Sequence, residues 1–122
     1  EYAGAVVGPA RAEFDDQTDF DAPDGARVLV VSILIDPREA AIQCSGPTLR
    51  EVEGAQRQWN DASLDISWDY DPEHPTLCDT ERVLPYTVVV PFLLPDDAVG
   101  PFAVDLVSAA HLPQFARFIV EP

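Results

Sequence analysis

Between positions 60 and 71 the chain alternates apolar and polar residues almost without a break. Ala62, Leu64, Ile66, Trp68 and Tyr70 fall on one side of an extended chain, and Asp61, Ser63, Asp65, Ser67, Asp69 and Asp71 on the other. Side chains on a β-strand point alternately to opposite faces, so the pattern predicts a strand with one dry and one acidic face. Such a strand belongs to an antiparallel sheet half covered by a core. Residues 27–36 predict a strand of another kind. Val28, Leu29, Val30, Val31, Ile33, Leu34 and Ile35 are apolar on both faces, and only Ser32 interrupts. That run belongs at the centre of a sheet, buried on both sides. Its β-branched content and the stop at Pro37 argue against a short buried helix.

The remaining segments are shorter. Residues 1–9 read as a flexible lead-in to a single domain over 10–122, with a first strand at 11–14. Pro23-Asp24-Gly25 is a turn signal. A short strand is expected at 42–44. Residues 48–52 and 56–59 predict the two arms of a hairpin turning at Glu53-Gly54, because glycine supplies the positive φ of a tight turn. A helix over 47–58 ranks second, since Gly54 in its interior would cost about 1 kcal/mol against alanine. Residues 83–94 predict a long strand with Tyr86, Val88, Val90, Phe92 and Leu94 on one face. Pro85 and Pro91 within it cannot donate ladder hydrogen bonds, which places them at an edge or a bulge. Strands at 102–107 and 115–120 complete seven or eight, with turn signals between them. The pattern predicts an all-β, two-layer antiparallel β-sandwich, with a small barrel as the alternative.

Composition adds a compartment and removes some partners. With 122 residues and 47% apolar content the chain is one domain with a real core. The net charge is −15, and all seven basic residues are arginine. Such a surface repels phosphate backbones and anionic bilayers, so no nucleic acid partner is expected and no insertion of this segment into a membrane. The Ala3–Val7 run is too short to span a bilayer; the sequence opens at Glu1, so an upstream signal or anchor is conceivable. The charge itself is expected to keep an exported domain soluble, with a protein partner and an oligomeric state that the sequence does not identify. Two cysteines, Cys44 and Cys78, favour one disulfide in an extracytoplasmic protein. Free thiols, or a metal site with His74, are the alternatives; the cysteines lack the close spacing usual in zinc motifs.

Candidate chemistry is sparse. The loop carrying Asp15, Asp16, Asp19, Asp21 and Asp24 could fold carboxylates around a calcium ion, although its spacing is not that of an EF-hand. Solvated surface is the simpler reading of such a run. Asp69 and Asp71 lie close enough for a hydrolase pair, but they share a wet face with nothing to raise one pKa. His74 and His111 fall in no catalytic motif, and there is no nucleophile elbow or phosphate loop. Aromatic residues read as core, except that Trp59, beside Gln56, Arg57 and Gln58, could form part of a carbohydrate platform. The function expected is a non-catalytic interaction or accessory domain without a cofactor. A calcium- or carbohydrate-binding module is the alternative, and a small carboxylate-dependent hydrolase the last.

A family resemblance rests on one order of features. A long apolar strand leads to Cys44-Ser45-Gly46-Pro47, then Leu49 through Glu53-Gly54 to Trp59. Cys78 follows, then a strand ending Pro91-Phe92-Leu93-Leu94-Pro95-Asp96-Asp97-Ala98, and a final strand pair. This order resembles the small immunoglobulin-like domains exported to the actinobacterial cell envelope, often behind a membrane anchor or lipid attachment. The resemblance covers about residues 10–121 and implies an immunoglobulin-like sandwich with a binding or assembly role and no general enzymatic activity. The sequence departs from antibody-type domains, where a tyrosine stands two places before the second cysteine; here that place holds Thr76.

Overall fold

The computed structural model describes residues 5–15, 24–38, 43–63, 66, 73–98, 100–108 and 115–122. These form seven strands: β1 (Val6–Asp15), β2 (Ala26–Asp36), β3 (Thr48–Glu51), β4 (Gln58–Trp59), β5 (Tyr86–Pro95), β6 (Phe102–Leu106) and β7 (Ala116–Val120). No helix occurs among the described residues. The strands make two antiparallel sheets, β1-β2-β5 and β4-β3-β6-β7. The two sheets pack face to face as an all-β sandwich, as the sequence pattern predicts.

The alternation along each strand decides which side is dry. Leu29, Val31, Ile33 and Ile35 of β2 and Tyr86, Val88, Val90, Phe92 and Leu94 of β5 face Leu49, Phe102, Val104 and Leu106 of the other sheet. All are buried, and Trp59 and Phe118 pack against them half-buried. β2 occupies the centre of its sheet, as its two-sided apolar run requires. The expected burial on both sides needs correction: the inner face is buried and so is Val28, but on the outer face Val30 is half-buried and Leu34 42% exposed, since the other sheet packs against the inner face.

Several expectations need correction. β1 begins at Val6, so residues 6–9 are sheet rather than lead-in, and Ala5 before them is wholly buried. Gln43 and Cys44 are irregular, not a short strand. The helix over 47–58 is absent; β3 and β4 pair instead, with Leu49 opposite Trp59. Gly54 has φ +69° in the turn between them. β5 starts at Tyr86, which leaves Val83 and Leu84 in the preceding loop. Its Pro91 sits in an edge strand, where a missing N–H is tolerated.

The described part of the 60–71 alternation is also not a strand. Asn60, Asp61 and Ala62 are irregular, and Ser63 and Ile66 lie in turns. The Asp61 carboxylate accepts the Ser63 N–H at 2.7 Å, offering the backbone a local partner in place of a ladder. Residues 64–65 and 67–72 lie outside the described residues. Ala62 and Ile66 are nonetheless buried, on the side the alternation assigns to the core. Ala62 N–H donates to Pro91 O at 3.0 Å and Val89 N–H to Pro75 O at 2.9 Å. At Ala62 and Pro75 the connection before β5 therefore covers the strand's outer edge and blunts it against further pairing.

β1 and β7, edge strands of opposite sheets, lie side by side without pairing. Gly8 permits the approach. Its φ is +100°, and a β-carbon there would stand 2.7 Å from Phe118 Cε1. Gly25 has φ +83° but nothing within 4 Å of such a carbon. Gly25→Ala is expected to destabilise the fold by about 1–2 kcal/mol through backbone conformation alone. Gly8→Ala should cost more, about 2–4 kcal/mol, because the ring of Phe118 must also move. Denaturant melts of the two variants measure the difference; equal losses would contradict the close approach.

Candidate functional site

The connection from β4 to β5 passes through one buried cysteine. Cys78 is bonded to Cys44, with Cα atoms 5.1 Å apart, and both residues lie in the core. Cys78 N–H also points at Cys44 Sγ, 3.1 Å away. The disulfide expected from the sequence is thus present, and no described cysteine is free. It excludes free thiols and a Cys44–Cys78–His74 metal site; His74 is exposed in the connection from β4 to β5.

Beyond Cys78 the chain folds around Asp79. The backbone N–H of Asp79 donates to the Tyr86 hydroxyl at 2.9 Å. The Asp79 carboxylate accepts the Glu81 N–H at 2.9 Å and pairs with Arg82 Nε at 3.5 Å. Arg82 N–H reaches back to Asp79 O at 3.4 Å, and its guanidinium lies 5.3 Å from the centre of the Tyr86 ring. Burial pushes the Tyr86 phenol above its ordinary pKa. A short loop is thereby held by a disulfide, a buried tyrosine and a local carboxylate.

That held loop presents apolar side chains to water. Leu77 is 47% exposed, Val83 50% and Leu84 72%. A cavity of about 360 Å³ opens beside Leu77, lined by Pro75, Thr76, Leu77, Cys78, Asp79 and Thr80. Isolated exposed apolar side chains are ordinary, but here two leucines and a valine stand exposed within eight residues, on a backbone held at Cys78 and Asp79. Sequence reasoning missed it because Val83 and Leu84 fit the apolar periodicity of the strand that follows. Pro85, which cannot join a ladder as a donor, was the available signal for a later strand start.

The opposite end of the sandwich is closed by charge. Glu51 ends β3 and Arg57 precedes β4, across the Gly54 turn. Arg57 Nε and Nη2 donate to the two oxygens of Glu51 at 2.8 Å each, and the Arg57 backbone N–H donates to Oε1 at 2.9 Å. Arg57 Nη1 also reaches Asp97, in the turn after β5, at 3.2 Å. The guanidinium stands 5.5 Å from the centre of the Trp59 ring, which meets Phe102 edge-on at 6.2 Å. The hydrogen bonds from Arg57 hold the Glu51 carboxyl at about 2, outweighing the opposing effect of burial. The same contacts raise the Arg57 pKa.

The other residues singled out from sequence fall as follows. Asp15 ends β1, and Asp24 is exposed in the turn before β2. Asp16, Asp19 and Asp21 lie outside the described residues, as do His111, Asp65, Asp69 and Asp71. Among the described residues no group of three His, Cys, Asp or Glu side chains is placed to hold a metal ion. Trp59 is half-buried against Phe102 beside Arg57, which makes it a wall of the core rather than a flat exposed platform. No protein-family model, curated protein or solved structure matches the chain.

The Glu51 clamp has a pH signature. The carboxyl titrates near 4.5 when unfolded and near 2 when folded, so its contribution is complete above pH 4.5 and is lost as pH falls toward 2. Glu51→Gln is expected to lower the melting temperature by about 3–6 °C at pH 7, the scale of one charge-assisted hydrogen bond. The gap between variant and parent should close by about pH 2. Melting both proteins across this range checks it, and a gap independent of pH would remove the clamp from the account.

Proposed function

We propose that this chain is a non-catalytic interaction domain of an exported or envelope-anchored protein, and that the loop over 77–84 is its docking element. The observation that carries this reading is the pairing of exposure with rigidity. Leu77, Val83 and Leu84 stand out from a backbone fixed by Cys44–Cys78 and by the Asp79–Tyr86 contact. A loop whose ordering is complete before binding loses less entropy when a partner covers it. The core does not need these three side chains, since the buried set closes without them. The disulfide supports an oxidising compartment. The net charge of −15 suits a domain that must stay soluble while exposing apolar side chains. The reading agrees with the resemblance to actinobacterial envelope domains, for which binding and assembly roles are expected.

Site-specific photocrosslinking in the producing cell tests this. A benzophenone side chain replacing Leu84 should yield a discrete protein adduct, whereas the same group replacing exposed Glu53, beside the charged end, should not. Val83→Asp/Leu84→Asp should abolish partner binding and leave the melting temperature within about 2 °C, as surface substitutions usually do. No adduct from position 84, or the same adducts from both positions, would overturn the docking role.

A further inference from the structure

We infer that the 77–84 loop receives a basic amphipathic segment of a partner protein: apolar side chains on one face, lysine or arginine around them. The inference rests on the docking role proposed above and adds the chemistry of the occupant. Its foundation is the way this protein uses its cations. Arg38 pairs with Asp36, Arg57 with Glu51 and Asp97, Arg82 with Asp79, and Arg117 with Asp105. Arg50 donates to Gln58, and Arg27 lies 3.9 Å from the centre of the Phe14 ring. Six of the seven arginines are thus turned toward groups of the same chain, and the outward field is set by carboxylates.

The loop shares that field. Arg82, its one arginine, is held by Asp79, while the Glu81 side chain stands exposed two residues before Val83. A partner covering Val83 and Leu84 must bring its rim close to these carboxylates. A basic rim is attracted and an acidic one repelled, in rate of encounter as well as in affinity. A second copy of this chain would set −15 against −15, so self-association is disfavoured. The cavity beside Leu77 is placed to take one apolar side chain of the incoming segment. Three exposed side chains make a small interface, suited to a short segment rather than to a broad domain face.

The test uses the whole chain and three synthetic 14-residue amphipathic peptides of matched leucine content: leucine–lysine, leucine–glutamine and leucine–glutamate. Amide shifts in nuclear magnetic resonance locate each peptide, and titration gives its affinity. The leucine–lysine peptide is expected to shift the amides of 77–84 and to bind at least about 10-fold more tightly than the other two. Its affinity should fall about 10-fold between 50 and 500 mM salt. Val83→Ser/Leu84→Ser, which keeps every charge, should weaken it by about 10-fold. If the glutamine or glutamate peptide binds 77–84 equally well, the basic occupant is wrong while the docking loop stands. If leucine–lysine binding ignores Val83→Ser/Leu84→Ser, the attraction is diffuse and the inference is overturned. If no peptide touches 77–84, the docking role itself fails.

Discussion

The bridge between Cys44 and Cys78 joins two connections that each carry the chain from one sheet to the other. Cys44 lies between β2 and β3, and Cys78 lies between β4 and β5. In antibody-type domains the disulfide links strands across the core. Here it links crossovers, so it fixes how the chain leaves the sheets. Cross-linking residues 34 apart also narrows the unfolded ensemble, by about 3–4 kcal/mol on chain-entropy grounds. For a domain of this size that is a large share of total stability. The same bond holds one end of the segment that presents Leu77, Val83 and Leu84.

The two ends of the sandwich are closed by different physics. At the disulfide end, Ser45 N–H donates to Val107 O at 2.8 Å, and the Tyr86 hydroxyl takes the Asp79 N–H at 2.9 Å. At the other end, Asp96 N–H donates to Gly25 O at 2.9 Å, and Arg57 joins the β3–β4 hairpin to the turn after β5 through Glu51 and Asp97. At the ionic end Arg57 is held by Glu51 and Asp97, and Val52 is the exposed large apolar side chain of the hairpin. The disulfide end leaves Leu77, Val83 and Leu84 exposed within one loop. That contrast is why the docking role is assigned there rather than to the more highly charged end.

The architecture was legible where periodicity and burial agree. β2 could be recognised because both of its faces are apolar, and β5 because Tyr86, Val88, Val90, Phe92 and Leu94 share one face. The hairpin was readable from Gly54, whose positive φ the turn requires. Legibility failed where a local hydrogen bond competes with a ladder: Asp61 captures the Ser63 N–H, and the described part of the alternation buries Ala62 and Ile66 without forming a strand. It also failed at Val83 and Leu84, whose apolar character continues the β5 pattern while Pro85 ends the ladder. The Glu51–Arg57 clamp was hidden for another reason. Acidic and basic residues six apart pair only once a turn folds them back onto one side, and no spacing rule announces that. The disulfide was recoverable from the cysteine count alone; the loop it immobilises depends on Asp79 and Tyr86 meeting in space.

The central claim is that the disulfide holds the presenting loop as well as the fold. Hydrogen exchange, comparing the oxidised protein with a Cys44→Ala/Cys78→Ala variant under conditions where both remain folded, tests it most directly. The account predicts that amides across 76–84 lose protection while those of β2, β5 and β6 keep theirs. Protection in 76–84 unchanged by loss of the bridge, or lost only in step with the whole molecule, would contradict it.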